Sequence, residues 1–379
     1  MKNKALFSFS VGPVQSFIAQ ARKLQDLFIG SRILTEMTEE AIKIAKDRYN
    51  AEIIMPYEEL KSKPNIFLAE FDLNGKNNEE IKDIGSSIEN HIKVYFNNAI
   101  NDTIGKPSED KAEYIKNQIE NHLSINWAMY PYDENSNYYE AFNKSQQLFK
   151  EVKSTRTFNQ VQQTGRICSI CGERVAIFYK GKKQPRHLEK KVAIKVDDNE
   201  HKFNEGEALC GVCYHKRIAY KSTSFPSIAE ICALDTISEL DPDKYKEYKN
   251  MFKQHYDEEF LYEENIKDTA LKKVGLIFKK DSIKEIEKKR LELLNGIKPK
   301  KYYAVIVSDG DKMGNWVSGK FLKDPSQLID FQKHMSKTLG EYGENLRKFI
   351  DNTKAGKVVY NGGDDLLAFI NIKHLFSVL

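Results

Sequence analysis

The chain has 379 residues, 30% of them charged, and a formal net charge of +4. That length allows two or three domains, and the slight basic excess permits nucleic-acid contact without requiring it. No apolar run is long enough to cross a bilayer and no signal-peptide pattern opens the chain. Most of its cysteines fall in CxxC pairs, so a reducing, cytoplasmic setting is expected rather than a secreted disulfide scaffold.

Ala5-Leu6-Phe7-Ser8-Phe9-Ser10-Val11 alternates as a strand does, and Gly12-Pro13 ends it. From Val14 a helix is predicted, with Phe17, Ile18, Ala21, Leu24, Leu27 and Phe28 on one face and Arg22, Lys23 and Asp26 largely elsewhere. Ile29-Gly30-Ser31 interrupts that pattern before a second helical stretch to about Tyr49. Strands at Glu52–Met55 and Ile66–Phe71 follow, then a helix from about Asn78 to Asn98. This βαββα order returns near the C-terminus, so 1–105 reads as a first palm-like domain. Its first strand does not end on Asp and it has no Gly-Gly-Asp-Asp hairpin, so it is not expected to hold catalytic metals.

Residues 106–300 read as a mainly helical domain. Its first part, to about Thr157, carries Trp127, Tyr130, Tyr132, Tyr138, Tyr139 and Phe142 as packing aromatics. Then come Cys168-Ser169-Ile170-Cys171-Gly172 and Cys210-Gly211-Val212-Cys213. Each knuckle turns two thiolates toward one ion, and four sulfurs close a tetrahedral structural zinc site. His187, His201 and His215 are nearby, but four cysteines fill the shell. A redox dithiol is the alternative, although a second pair would be surplus to it. The long spacer is expected to hold an inserted hairpin, Val175–Tyr179 with Lys191–Val196. Cys232 reads as a core thiol. The lysine-rich end of the following helical stretch (Lys279-Lys280, Lys288-Lys289-Arg290, Lys298, Lys300-Lys301) reads as a solvated face or an RNA-backbone contact.

A second palm-like domain, 301–379, starts with the strand Tyr302–Ser308, which runs into Asp309-Gly310-Asp311. Asp324-Pro325-Ser326-Gln327 opens a helix whose apolar stripe is Leu328, Phe331, Met335, Leu339, Tyr342, Leu346 and Phe349. Two strands around Gly362-Gly363 then present Asp364 and Asp365 at a hairpin tip. Adjacent carboxylates repel, by about 4 kcal/mol at ~4 Å and an effective dielectric of ~20. Full solvation or a divalent cation relieves that. A polar turn is the plain alternative for an isolated Gly-Asp-Asp. Asp309 at the end of a neighbouring strand favours metal: Asp309 and Asp364 can share the ions of a two-metal Mg²⁺ or Mn²⁺ site, with Gly310 letting the backbone approach a phosphate. The chain stops as the next helix should begin, so this domain is expected to be C-terminally truncated. The predicted class is α+β, two ferredoxin-like palm units of βαββ type, the second truncated, with a zinc-bearing mainly helical domain between them.

Four motifs in order carry a resemblance: Ser10-Val11-Gly12-Pro13-Val14-Gln15-Ser16-Phe17-Ile18-Ala19 with Ala21-Arg22-Lys23, the two CxxC knuckles, Ser308-Asp309-Gly310-Asp311-Lys312-Met313-Gly314, and Gly362-Gly363-Asp364-Asp365. The chain resembles the large polymerase/cyclase-like subunit of type III CRISPR effector complexes, nearest the Cmr (III-B) branch. The resemblance implies two palm domains facing each other across a nucleotide site. It implies a synthase that joins ATP into cyclic oligoadenylate when the complex, with its other subunits and guide RNA, captures target RNA. It assigns Asp309, Asp364 and Asp365 to metal, and sets Gly362-Gly363 against a nucleotide phosphate or ribose. Gln15 and Ser16 would line the facing wall. Family members often carry an HD nuclease domain; no His here is followed by Asp, so no such site is expected. Two other functions stay open. One is a catalytically incomplete nucleotide-binding scaffold of the same complex. The other is a diguanylate-cyclase-like enzyme, although that class follows the hairpin with Glu-Phe where this chain has Asp365-Leu366.

Overall fold

The computed structural model describes residues 3–379 apart from 74, 106, 134, 156–162, 198–199, 201, 221–224 and 363. The class is α+β. Four strands, β1 (Lys4–Gly12), β2 (Glu52–Met55), β3 (Ile66–Asp72) and β4 (Ser124–Tyr132), form one antiparallel sheet in the order β2-β3-β1-β4. The alternation in β1 divides its side chains between two cores. Ala5, Phe7, Phe9 and Val11 enter the main core with the helices Leu24–Tyr49 and Asn78–Ile104. On the other face Leu6 packs with Phe142 of the helix Tyr138–Ser154. Asn77 caps the helix Asn78–Ile104 by accepting from the Glu79 and Glu80 amides, and Glu80 accepts in return from the Asn77 N–H at 2.8 Å.

Two sequence expectations fail in this part. Residues 124–132 are not helical. Ser124–Tyr132 is the fourth strand, so the sheet runs beyond residue 105. Its Pro131, paired with Ala5, is tolerated because β4 lies at the sheet edge, where a missing N–H breaks no ladder. The break in the first helix also lies earlier than Ile29-Gly30-Ser31. A short helix Gln15–Ala19 ends, and Leu24–Tyr49 then runs unbroken through Gly30. The intervening backbone is held by charged side chains: Asp26 accepts from the Arg22 and Lys23 N–H groups at 3.0 and 3.2 Å, and Lys216 donates to the carbonyls of Phe17, at 2.6 Å, and Gln20.

The cysteine segment has its own small sheet, β5 (Phe178–Tyr179), β6 (Ile194–Lys195) and β7 (Ala208–Leu209), ordered β6-β5-β7. β5 and β6 do pair, but in parallel, so they are not the expected hairpin; β7 supplies the antiparallel partner. The helices Ile228–Glu239, Pro242–Asn250, Asp268–Lys273 and Lys280–Leu294 follow, around a core that includes Tyr248, Phe252, Phe260 and Leu271. Cys232 is buried as expected, and Arg290 is buried rather than part of a solvated basic face.

The last unit is a three-stranded antiparallel sheet, β8 (Tyr303–Ser308), β9 (Gly356–Gly362) and β10 (Asp365–Asn371), in the order β8-β10-β9. Asp324 caps the turn Pro325–Gln327, which leads into the helix Leu328–Asn352. Its expected stripe is only partly buried. Of the stripe Leu328 is inside while Tyr342 and Phe349 are exposed, and Ile350, outside the stripe, is buried in place of Phe349. The reason is that the helix has two partners: it packs on β9, and it also receives the 55–64 loop of the first unit. The Tyr57 N–H donates to Ser336 Oγ at 2.8 Å, the Lys61 N–H to Glu344 at 3.0 Å, and Leu60 sits on buried Gly340. Asn371 anchors β10 to the helix Ile228–Glu239 by donating to the Ile231 and Cys232 carbonyls at 2.9 and 3.0 Å.

Candidate functional site: a carboxylate triad at a hairpin tip

β10 pairs with β8 so that Leu366 faces Ser308; one step further along that register sets Asp365 across from Asp309. Asp364 lies in the hairpin connection. The carboxylate oxygens of Asp309, Asp364 and Asp365 all lie within 4.8 Å of one another, close enough to hold one ion in common. Asp309 and Asp365 are exposed and Asp364 is half-buried, so the triad is open to a ligand. Burial, then the charges of Asp364 and Asp309, push the Asp365 carboxyl up to about 6. Three hard oxygen donors with room for further ligands fit Mg²⁺ or Mn²⁺.

The glycines have separate roles. Gly310 is backed against Asp364: a Cβ there would lie 2.7 Å from Asp364 Cβ and 2.6 Å from Met313 Cγ. The turn sits one residue later than the sequence suggests. Gly362 is the last residue of β9, beside Pro64 of the first unit, and Gly363 lies outside the described residues. A cavity of about 310 Å³ runs from Gly362 and Asp364 between the two units, with Met55, Phe142, Met313 and Leu339 among its largely apolar walls. Gln15 and Ser16 are exposed at the start of the helix Gln15–Ala19 and do not line that cavity.

Sequence reasoning missed Tyr360. Burial, then the charges of Asp365 and Asp309, push its phenol up, which locates it beside the triad. Its position two residues before Gly362 in a strand was the available signal, since that parity puts both on one side of the strand.

The four cysteines do converge. Cys168, Cys171, Cys210 and Cys213 have their sulfurs within 4.8 Å of one another, with Cys171 and Cys210 3.9 Å apart. Gly172 supplies the positive φ of the first knuckle, and the Cys213 N–H donates to Cys210 Sγ at 3.4 Å. Four soft donors with no open position fit structural Zn²⁺. Arg174 stands beside them: burial disfavours its charge, but the Cys210 and Cys171 thiolates hold it protonated. His215 is turned to Thr103, at 2.7 Å, and is driven down to about 4 by burial; His201 lies outside the described residues. Buried Gln118 ties the knuckles to the first unit, accepting from the Gly211 N–H at 2.9 Å and donating to the Val175 carbonyl at 2.7 Å.

This architecture has known counterparts. Residues 6–131 match the family profile "CRISPR-associated protein Cmr2, N-terminal", and residues 302–379 match "Cas10/Cmr2, second palm domain". Together they span more than half of the chain, which belongs to the Cas10/Cmr2 family. A curated relative, the CRISPR system Cmr subunit Cmr2 of Pyrococcus furiosus, is 23% identical across the whole of this chain and 54% of its own length. The chain therefore spans about half the length of that relative. Among solved structures, a type III-B Cmr-beta complex in its apo state has a chain that superposes with a TM-score of 0.68 at 13% identity, over 99% of this chain and 60% of that one. The Cmr-beta complex bound to cognate target RNA gives 0.62 at 12% identity, over 99% and 61%. At these identities the likeness is one of fold. No helix among the described residues is long and apolar enough to cross a membrane.

Proposed function

We propose that this chain is the nucleotidyl-transfer part of a type III CRISPR effector subunit, joining ATP into cyclic oligoadenylate in the cytoplasm when its complex captures target RNA. The observation that carries this reading is the convergence of Asp309 with Asp364 and Asp365 from two adjacent strands. The order β2-β3-β1-β4 is that of a ferredoxin-like palm, and β8-β10-β9 is three-quarters of the same order. That supports two palm units, the first extending to β4, with the cysteine and helical segments between them. The relatives are Cmr subunits, and one was solved with target RNA, which supports other effector subunits, guide RNA and target RNA as partners.

Bound Mg²⁺ or Mn²⁺ would supply activation of a 3′-hydroxyl and neutralisation of triphosphate charge. Asp309, Asp364 and Asp365 would hold those ions, and Gly310 keeps Asp364 in place. The apolar cavity beside Gly362 offers a surface for a nucleobase and excludes water from it. In the reaction the 3′-oxygen bonds to an α-phosphorus, the α–β phosphoanhydride breaks and pyrophosphate leaves. Catalysis by this chain is positioning and charge placement. The roles of Gln15 and Ser16 on the facing wall rest on the motif alone. The zinc site is structural in this reading. The test is ATP turnover by the full-length protein, assembled with its partner subunits, guide RNA and target RNA. Asp364→Ala with Asp365→Ala should abolish it, and unchanged turnover would refute the assignment.

A further inference from the structure

The Ala21-Arg22-Lys23 motif has no part in the triad. Arg22 and Lys23 instead wall a cavity of about 590 Å³, bounded also by the cysteine segment and by Lys272 of the helix Asp268–Lys273. That volume lies within the ~300–1,000 Å³ usual for ligand sites. Four cations meet there: Arg22, Lys23, Arg166 and Lys272. Arg166 donates to the Gly206 carbonyl at 2.9 Å, and Lys272 pairs with Asp268 at 2.6 Å. Among the described residues, the side chains of Arg22 and Lys23 have no hydrogen-bond or ion-pair partner. Two carboxylates also line the space. Glu207 is already engaged, by Arg217 at 3.1 Å and the Asn204 N–H at 2.8 Å, while Glu205 is exposed at the rim. Ser169 Oγ accepts from the Ala208 N–H at 3.1 Å, which leaves its own proton to donate.

The cavity is built rather than incidental. Asp26 accepts from the Arg22 and Lys23 N–H groups, and Arg217 grips both Asp26 oxygens at 2.6 and 2.8 Å, the Asp26 and Arg217 side chains being fully buried. The backbone carrying the two free cations is therefore fixed in advance, which lowers the ordering cost of binding. Lys23 is more than half-buried; burial, then the nearby Arg217 charge, lower its ammonium from the usual lysine value, against the opposing charges of Glu207, Asp26 and Asp257. An anion arriving there would offset the Arg217 charge. Several cations, the Ser169 hydroxyl and the side chain of Asn204 around one space suit a diffuse, multiply accepting anion better than a single carboxylate.

We propose that this cavity binds a phosphate group, carried by a free nucleotide or by an RNA strand, at a site separate from the carboxylate triad. Two probes distinguish the carriers: ATP in buffer without divalent cations, and a fluorescein-labelled single-stranded RNA of mixed sequence, titrated at graded salt. Arg22→Ala with Lys23→Ala should weaken binding of at least one probe by about tenfold or more. Because that pair sits near a buried ion pair, Lys272→Ala at the exposed rim gives an independent readout, expected at about threefold. A loss seen only with ATP assigns the site to a nucleotide. A loss seen with RNA, accompanied by a salt slope shallower by about 0.7 per cation removed, assigns it to a strand. Equal affinities of the wild type and both cavity variants for both probes would overturn the proposal.

Discussion

Gly310 touches Asp364 at a distance only glycine permits, since a Cβ there would stand 2.8 Å from Asp364 Oδ2 as well as crowding its Cβ. The first acid strand thus positions the second acid's side chain through backbone contact. Gly310→Ala should displace Asp364. The effect should fall mainly on ion binding, with Mn²⁺ affinity reduced about 10–100-fold and thermal stability changed little. Calorimetric titration with Mn²⁺ beside a melting curve checks this; an unchanged affinity would show that Asp364 does not depend on the contact.

The buried Asp26–Arg217 pair joins the helix Leu24–Tyr49 of the first unit to the cysteine-bearing helix Gly211–Ile218. Burial alone would raise the Asp26 carboxyl; the hydrogen bonds and charge of Arg217 outweigh it and hold the carboxyl below its ordinary value. A carboxyl lowered by folding contributes stability above its unfolded pKa and loses it as pH falls through the folded value. Asp26→Asn, which leaves the guanidinium buried and unpaired, should destabilise the chain by about 3–5 kcal/mol at pH 7. The gap between variant and wild type should close in acid, and urea melts across pH 3–7 would show it.

Glu258 behaves in the opposite sense. Burial, then the charges of Glu230 and Asp257, push its carboxyl up to about 7. The folded state therefore binds a proton that the unfolded chain releases, and stability falls as pH rises from about 4 to 7. Glu258→Gln should be near neutral at pH 4 and stabilise by about 2 kcal/mol at pH 8. A variant equally stable relative to wild type at both pH values would contradict the shift.

Removing metal from the four thiolates should unfold more than the knuckles. Lys216 and Arg217, on the helix that carries Cys213, hold the backbone from Phe17 to Asp26. Strong chelation, or Cys210→Ser, should withdraw a folding contribution on the order of 10 kcal/mol from this segment. Elemental analysis should find one zinc per chain in the wild type and none in the variant. Hydrogen exchange should then speed up in the helix Gln15–Ala19 as well as around residues 168–213.

What was legible in the sequence was local. The CxxC knuckles and the Gly-Gly-Asp-Asp hairpin announce themselves by spacing, and Asp309 was found because an apolar run ended on it. The strand Ser124–Tyr132 is hidden because Trp127, Tyr130 and Tyr132 read equally as packing aromatics in a polar stretch. Their β propensity and the edge-strand proline were the better signals. The Asp26–Arg217 pair spans 191 residues, and no periodicity in either helix marks it; Asp26 even falls off the apolar face it is buried behind. The partial exposure of the helix Leu328–Asn352 was hidden for a related reason. Its second contact is a loop from the other unit, which a one-dimensional stripe does not reveal.

The most direct measurement is pyrophosphate release from ATP with Mg²⁺ or Mn²⁺ by the full-length protein in its complex with guide and target RNA, wild type against Asp364→Ala with Asp365→Ala. Release that depends on target RNA and vanishes in the double variant is the expected result. Equal release from both, or none from the wild type while ATP still binds, would contradict the assignment of the triad as a nucleotidyl-transfer centre.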